Sequence, residues 1–417
     1  MRSCSFRSRP SRTFASLCLW LLLAASLSGV SQQTGDAAGL TASQKSEIVD
    51  AAWQDVRDLF YDPQFRGVDW DRVHQRYLHR IDRVHSREQM ETLIRSMVAL
   101  LHNSHSGVMT HDEIARTHNV LPFFFDKVSG RDFVSYVFQA QTGRPASPIQ
   151  FGDQILSVDL QPAAKLWLPD TTWLRPVLMN PYFGPAGSLA QVTIRRHGSI
   201  LTLAVPRVQA FSGVEPVIVS HFGRIAYLRL LKMDDTTVPP QMLRAALDQV
   251  AGSDALILDL RHCEGGDAPV SGMLGGLLLG PGVKLVTRVP RLPPPASPEI
   301  VERTANFGSI YKGRVFVLVD HGTQSQPEML AAALQDYGRA KLIGERTRGA
   351  LNGFTEAVPL PFRAGILEVP VNRSISPHGN EYEGAGVAPD IFLRNSAADF
   401  RAGRDAVLQY AVRVAAD

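Results

Sequence analysis

Apolar residues recur at helical spacing between residues 41 and 101, in three successive segments. Each segment follows a residue that can cap a helix, namely Thr41, Asp69 and Ser86. Gln44 and Gln89 stand three residues after two of these, as a capping box requires. The pattern predicts a small N-terminal helical bundle within residues 41–112, in which the Trp and Met stripes form the core.

The pattern changes between residues 117 and 208, where short runs rich in β-branched and aromatic residues are separated by Gly and Pro. Such runs predict strands rather than helices. We expect a small β domain over residues 117–208, with strands at residues 133–138, 154–158, 190–195 and 200–205.

From residue 210 onwards, apolar strands and helical segments alternate. Strands are predicted at 224–231, 255–260, 314–320 and 341–345, and helices at 241–250, 268–279 and 328–337. The proline-rich stretch 290–298 is predicted to be a loop. Continuous apolar strands that alternate with helices are typical of an α/β domain with a largely parallel sheet, here residues 210–417. The fold class is therefore multidomain α/β.

The first 31 residues have the pattern of a secretory signal peptide. Arginines precede an apolar run at residues 14–27, and small and polar residues follow it. A membrane span needs about 20 apolar residues, so this run is short for one. We expect an exported protein, periplasmic or extracellular, with no stable membrane span after signal removal. An uncleaved anchor is the alternative. Cys4 and Cys18 lie in the leader, which leaves Cys263 without an intrachain disulfide partner.

Charge gives no indication of a nucleic-acid partner. The chain has 43 basic and 40 acidic residues. Four arginines lie in the first twelve residues, so the rest of the chain is close to neutral. Hydrophobic residues make up 45% and charged residues 20%, which excludes a wholly disordered chain and a multi-span membrane protein.

Two strand ends in the α/β region carry candidate chemistry, because ligands collect at the carboxyl ends of parallel strands. Gly265 and Gly266 follow the strand at 255–260, and backbone N–H groups there could bind an oxyanion. Ser325 follows the strand at 314–320, and Pro327 fits the first turn of the next helix. A tight turn and an ordinary helix cap are the alternatives. The Gly-x-Ser-x-Gly spacing of a nucleophile elbow is absent.

A nucleophilic serine requires a base, and the best candidates are the histidines after the third helical segment. His105 could accept the proton of Ser325, with Ser104 or a carboxylate orienting the ring. His102, His105 and His111 also permit a metal-site interpretation. Their spacing matches no zinc motif, so we predict neither a metal nor a cofactor.

Several segments together resemble the C-terminal-processing (tail-specific) serine peptidases and their tricorn-core relatives. The resemblance covers nearly the whole chain after the leader, in order. It rests on residues 152–159, 258–261 with 265–266, 323–325, 333–340, 344–349 and 384–390. It implies a helical N-terminal region, a PDZ-like domain at 117–208 and a ClpP/crotonase-like α/β peptidase core at 210–417.

The resemblance also implies a peptide hydrolase with Ser325 as nucleophile. Its oxyanion hole would use the N–H of Gly265 or Gly266 and that of Gln326. Ala350 stands where the tail-specific branch has its catalytic lysine. A Ser–Lys dyad is therefore excluded at its usual place.

The tricorn-like branch uses a Ser-His pair and a late glutamate instead, and Ser104, His105 and Glu383 resemble that set. The implied tetrad is Ser325 as nucleophile, His105 as base, and Ser104 and Glu383 as orienting groups. Cys263 occupies a position where the family usually has asparagine.

The expected partner is a peptide or protein substrate, held in part by its C-terminus. The β domain could bind that terminus by strand addition at Leu121, Phe123 and Phe124, with backbone N–H groups near the carboxylate. The alternative is that these residues are plain core. Two further hypotheses remain open, namely an inactive homologue that binds peptide C-termini and a metal-dependent hydrolase.

Overall fold

Three helices and a short strand form the N-terminal part of the computed structural model. The model describes residues 39–110, 119–166, 181–185, 187–209, 213–291 and 298–417. The elements are α1 (Ala42–Leu59), α2 (Trp70–Leu78), α3 (Arg87–Val98) and β1 (Gly107–Met109). The three predicted helices are confirmed, and Trp70, Met90 and Met97 are buried in their core.

The predicted helix caps are also present. Thr41 and Gln44 form a full capping box at the start of α1, with hydrogen bonds of 3.2 and 2.9 Å. Ser86 Oγ accepts from the Gln89 N–H at the start of α3, but the Gln89 side chain accepts from the His85 N–H instead of that of Ser86. Capping residues thus fix where these helices begin.

An antiparallel sheet follows. Its strands and short neighbouring strands are β2 (Asn119–Val120), β3 (Phe123–Val128), β4 (Arg131–Val137), β5 (Gln154–Val158), β6 (Gln161–Pro162), β7 (Leu189–Arg196), β8 (Ser199–Pro206) and β9 (Val208–Gln209). The main sheet has the order β3-β4-β5-β7-β8, so β3 lies at its edge. The predicted β region is confirmed at the level of its strands.

The remaining strands and helices build the core. The strands are β10 (Val217–Phe222), β11 (Ile225–Leu230), β12 (Ala255–Asp259), β13 (Lys284–Pro290), β14 (Ile300–Arg303), β15 (Arg314–Val319), β16 (Lys341–Gly344), β17 (Thr355–Pro359), β18 (Ile366–Pro370), β19 (Asn372–Ile375) and β20 (Ile391–Phe392). The helices are α4 (Pro240–Val250), α5 (Ala268–Leu279), α6 (Gln326–Asp336), α7 (Ala397–Arg401) and α8 (Ala406–Ala416).

The main core sheet has the order β10-β11-β12-β15-β16-β20, and every pair except β10–β11 is parallel. Helices α5 and α6 pack on one face and α8 on the other, which explains why the strands read as continuous apolar runs. Because β12 and β15 are neighbours, the turns that follow them meet at one edge of the sheet. The Gln324 N–H donates to the Cys263 carbonyl across these turns, at 3.1 Å.

Strand β1 joins the N-terminal helices to the core. It pairs with β18, which in turn pairs with β17. Leu360, Leu367 and Val369 from this region are buried against the helical bundle. The loop between α3 and β1, which carries the predicted base, is thereby held against the C-terminal half of the chain.

The predicted signal peptide, residues 1–31, lies outside the described residues, as do Cys4, Cys18 and His111. Of the helices that the structure describes, none combines the length and the hydropathy that crossing a membrane requires. The boundaries 41–112, 117–208 and 210–417 remain predictions.

Candidate active site

Ser325 lies in the turn between β15 and α6, as the sequence predicts. Its backbone has φ 62° and ψ −124°. Such a positive φ costs a non-glycine residue about 1–3 kcal/mol. Pro327 and Glu328 occupy the first turn of α6, and the Ser325 N–H donates to Glu328 Oε2 at 2.9 Å. A strained turn is therefore present although the Gly-x-Ser-x-Gly spacing is absent.

Gly265 provides the space beside Ser325. A Cβ added to Gly265 would lie 3.2 Å from the Ser325 Cβ and 3.7 Å from its Oγ. A Cβ at Gly266 would lie 2.1 Å from the carbonyl carbon and oxygen of Met233. Both positions also have positive φ, 116° and 152°. The room that an elbow usually gains from flanking glycines thus comes here from the neighbouring turn.

The two turns also carry the backbone N–H groups that the sequence proposes for an oxyanion hole. The Met233 N–H donates to the Gly265 carbonyl, and the Asp267 N–H donates to the Met233 carbonyl. These two hydrogen bonds lie on either side of Gly266 and do not engage its N–H. Gly266 is exposed, whereas Gly265 is buried and its N–H lies beside the Cys263 thiol. Gln326 is the first residue of α6, where N–H groups have no partner within the helix.

A buried ion network fixes the turn after β12. Asp259, the last residue of β12, is fully buried and accepts hydrogen bonds from Tyr227, Arg229 and Arg261 at 2.7–3.0 Å. Burial alone would raise the pKa of Asp259, but the two guanidinium groups hold it well below its usual range. Arg261 also binds Asp405, just before α8. Asp259 therefore stays charged at any pH near neutrality.

Ser104 and His105 form a hydrogen-bonded pair in the loop before β1. Ser104 Oγ lies 2.8 Å from His105 Nδ1. The His105 N–H donates to Asn103 Oδ1 at 2.9 Å, which fixes the backbone. Serine and asparagine next to the histidine thus orient its ring from within the same loop.

Glu383 joins this pair from a distant part of the chain. Its Oε1 accepts from the Ser104 N–H at 2.7 Å, and its Oε2 accepts from the N–H groups of Leu351 and Asn352 at 3.0 and 2.9 Å. Glu383 therefore supports Ser104 through the backbone, and Ser104 in turn contacts the His105 ring.

His105 is kept neutral by its surroundings. Although part of its surface is exposed, burial of the ring lowers its pKa to about 3, and the charges of Arg288 and Arg348 act in the same direction. A neutral imidazole can accept a proton at one nitrogen while the other is hydrogen-bonded. If Nδ1 donates to Ser104 Oγ, the lone pair is on Nε2.

The segment 347–353 contacts both parts of the site. A Cβ added to Gly353 would lie 2.7 Å from His105 Nε2, so this glycine packs directly against the imidazole. At the other end, Glu328 accepts from Thr347 Oγ1, the Gly349 N–H and the Ala350 N–H at 2.5, 2.6 and 2.8 Å. Ala350 thus contributes a backbone donor where the resemblance would place a lysine.

Glu328 is a functional candidate that sequence reasoning did not single out. It is fully buried and receives four hydrogen bonds, one from Ser325 and three from residues 347–350. Burial raises its pKa to about 7, and these hydrogen bonds oppose the rise. The capping pattern Ser325-x-x-Glu328 was the sequence signal, but its contacts with residues 347–350 depend on the fold.

The predicted peptide-binding side chains lie inside the antiparallel β region. Leu121 and Phe123 are fully buried and Phe124 is 7% exposed. The N–H groups of Leu121 and Phe123 already donate to the carbonyls of Tyr182 and Leu121. These residues contribute to the core, and only the edge position of β3 leaves room for strand addition.

The surroundings of Cys263 and Asp336 indicate structural roles for both side chains. Cys263 is fully buried, and burial raises the pKa of its thiol well above its ordinary value, which does not suit a nucleophile. Asp336 accepts from Ser376 Oγ and the His378 N–H, so it connects the end of α6 to residues 376–378.

A cleft of about 620 Å³ opens beside Glu383. Tyr61, Arg66, Arg291 and Arg373 contribute to its lining. The carboxylates of Asp62, Glu299, Glu381 and Glu383 line it together with these arginines, and its position next to the Ser104–Glu383 contact makes it a candidate for substrate binding.

Comparison with known proteins gives two family matches. Residues 224–393 match the model of peptidase family S41, and residues 43–99 match the tricorn protease C1 domain. Among curated proteins, a tricorn protease homologue of Streptomyces coelicolor is 26% identical over 405 residues, which cover 90% of this chain and 32% of the homologue.

A carboxy-terminal-processing protease of Bartonella bacilliformis is 28% identical over 54% of this chain and 51% of its own length. The chain thus spans about a third and about half of these two relatives. A chloroplastic carboxyl-terminal-processing peptidase 2 of Arabidopsis thaliana is 26% identical over 90% of this chain and 74% of its own.

Solved structures show the same fold. The photosystem II D1 C-terminal processing protease has a TM-score of 0.59 at 22% identity, over 85% of this chain and 94% of its own. The tricorn protease has a TM-score of 0.53 at 17% identity, over 89% of this chain and 36% of its own. Residues 224–393 are thus similar to peptidase family S41 and residues 43–99 to the tricorn protease C1 domain, and the solved structures share the fold of this chain.

Proposed function

We propose that this protein is an exported serine endopeptidase that cleaves peptide bonds through an acyl-enzyme. The observation that carries the proposal is the pair of contacts that hold the candidate base, Ser104 Oγ to His105 Nδ1 at 2.8 Å and Glu383 to the Ser104 N–H at 2.7 Å. Residues 347–353 connect this cluster to the turn of Ser325.

The proposed chemistry is an acyl transfer. Ser325 Oγ attacks the peptide carbonyl while His105 Nε2 takes the hydroxyl proton and then delivers it to the leaving amine. Water, deprotonated by the same imidazole, attacks the acyl-enzyme and releases Ser325. The lowered pKa of His105 keeps its ring unprotonated and so able to accept a proton, and an Nδ1–H that donates to Ser104 Oγ would leave Nε2 for this role.

The oxyanion would bind to backbone N–H groups. The N–H of Gln326 at the helix N-terminus supplies one donor. The N–H of Gly266 supplies the second, because Gly266 is exposed whereas the Gly265 N–H lies beside the Cys263 thiol. Gly265 would then serve mainly to leave room for Ser325.

Substrate would be a peptide or an unfolded protein segment. The cleft beside Glu383, which charges of both signs line, and the edge strand β3 are the two features that support peptide binding. No metal or cofactor enters the proposed chemistry.

The test compares Ser325→Ala and His105→Gln with the wild type and with Ser199→Ala, an exposed serine on β8. Hydrolysis of a fluorescently labelled unfolded protein should fall by at least about 10⁴-fold in the first two variants. A fluorophosphonate probe should label the wild type and Ser199→Ala at Ser325.

Unchanged hydrolysis in Ser325→Ala would reject the nucleophile. A wild type that binds peptides but neither hydrolyses them nor reacts with the probe would make this chain a binding protein. Hydrolysis that disappears with a chelator in the wild type would favour the metal-dependent alternative.

A further inference from the structure

Three residues from three separate segments meet next to the candidate active site without belonging to it. They are Asp126 on β3, His262 after β12 and Asp320 after β15. His262 Nε2 lies 3.0 Å from Asp126 Oδ1 and 3.2 Å from Asp320 Oδ2. The ligand atoms of all three lie within 4.8 Å of one another.

One carboxylate oxygen of Asp320 accepts no hydrogen bond from the described residues of the turn after β15. Asp320 is 5% exposed, and its Oδ1 accepts from the N–H groups of His262, Gly322 and Thr323 at 2.9–3.0 Å. Its Oδ2 points towards His262 and accepts no hydrogen bond from the described residues. An unsatisfied buried oxygen of this kind costs about 1–3 kcal/mol, and more when it is charged.

Asp126 Oδ1 is in the same situation. It lies within 3.0 Å of His262 Nε2 and yet accepts no hydrogen bond of acceptable geometry in the part of the chain that is described. Two carboxylate oxygens therefore lie close to one ring nitrogen, and neither lies along its N–H direction.

A shared cation would account for this arrangement. In a hydrogen bond, the acceptor lies on the N–H axis. Around a metal ion at about 2.1 Å from each ligand atom, the oxygens lie beside that axis, about 3–3.4 Å from the nitrogen. The observed separations of 3.0 and 3.2 Å have these values.

The imidazole is held in place from both sides. The Phe124 ring stacks on it at 4.8 Å, and a Cβ added to Gly322 would lie 2.7 Å from its Nδ1. Ser135 Oγ forms a hydrogen bond with Nε2 at 3.0 Å, which a cation bound at Nε2 would replace, with Ser135 Oγ as a further oxygen beside it. A rigid imidazole with convergent oxygens is the kind of ligand set that binds a transition-metal ion.

We propose that Asp126, His262 and Asp320 bind one divalent transition-metal cation of the Zn²⁺ type. The cation would join β3 to the two turns that carry Gly266 and Ser325. This proposal is independent of the proposed peptidase activity, because none of its ligands takes part in the acyl transfer.

The test measures bound metal. Wild type, His262→Asn, Asp126→Asn and a control, His197→Asn, are equilibrated with Zn²⁺, dialysed and analysed for zinc. Asparagine tolerates the positive φ of 58° at His262, and His197 is an exposed histidine with φ 48°. We expect one zinc per chain in the wild type and the control, and at least tenfold less in the other two.

Zn²⁺ should also raise the melting temperature of the wild type and the control, and leave that of Asp126→Asn unchanged, because a ligand stabilises the state that binds it. If His262→Asn does not fold, Asp126→Asn carries the comparison. Equal zinc retention in the wild type and Asp126→Asn would overturn the proposal. So would a wild type that retains no zinc, which would leave a protonated imidazole between the two carboxylates.

Discussion

Two buried carboxylates anchor the two turns of the candidate site, and they do so by opposite means. Asp259 and Glu328 are both fully buried. Asp259 is neutralised by two guanidinium groups, whereas Glu328 receives only N–H and O–H donors. The pKa of Asp259 accordingly lies well below its usual range, and that of Glu328 is raised to about 7.

Asp259 is therefore an anchor that stays charged, whereas Glu328 is an anchor that titrates near neutral pH. The ion network after β12 keeps the same charge at every physiological pH, so it supports the turn of Gly265 and Gly266 equally throughout that range. Glu328 holds the Ser325 backbone to residues 347–350 and changes its charge near neutral pH. Protonation of Glu328 would therefore affect the Ser325 turn and the segment next to His105 at the same time.

The largest expected effect comes from removing the charge of the first anchor. Asp259→Asn leaves Arg229 and Arg261 buried without their common counterion, which should cost about 3–5 kcal/mol in the free energy of unfolding. Denaturant unfolding measures this loss. Asp254→Asn, which breaks the exposed pair with Arg224, is the control and should lose little. Equal losses in the two variants would show that the network does not anchor the turn.

Glu328→Gln should have a smaller effect on stability and a specific effect on turnover. An amide offers one acceptor oxygen and one donor group where four donors converge, so we expect a loss of about 1–3 kcal/mol. Displacement of Ser325 should lower kcat about 10–100-fold with little change in KM. Steady-state kinetics on an unfolded protein substrate tests this. A change confined to KM would assign Glu328 to substrate binding instead.

The pH dependence of stability should differ between the wild type and Glu328→Gln in the range between pH 4.5 and 7. The pKa of Glu328 rises from 4.5 in the unfolded chain to about 7 in the folded one. The folded state therefore binds more protons between these values, and stability should fall as pH rises from 4.5 to 7, by about 2–3 kcal/mol. Glu328→Gln should lack this component.

Asp259 contributes no slope in that window. Because its folded pKa is lowered, its stabilisation is complete above about pH 4 and is lost only as pH falls further. Denaturation midpoints at pH 5, 6 and 7 separate the two carboxylates. Parallel pH profiles for the wild type and Glu328→Gln would contradict the raised pKa.

Local patterns in the sequence predict much of the fold. The caps at Thr41, Asp69 and Ser86 and the apolar runs of β12 and β15 fix where the elements begin and end, since each depends on residues close in the chain. The prediction that Ser104, His105 and Glu383 act as a set came from a resemblance. The structure brings these three residues together, and their catalytic roles stay predictions.

Other features could not be read from the sequence because they depend on distant contacts. The absence of flanking glycines argued against a strained serine turn, yet Gly265 supplies the space from another strand end. Glu328 looks like an ordinary capping residue until residues 347–350 pack against it. The Asp126, His262 and Asp320 cluster requires the β domain to lie against the core, which no spacing rule reveals.

The hydrogen bond between the Ser104 N–H and Glu383 joins positions 279 residues apart. On the proposed assignment, a chain still emerging from the ribosome has its nucleophile and its base before it has the carboxylate that supports them. Proteolysis would then wait for translation to pass residue 383.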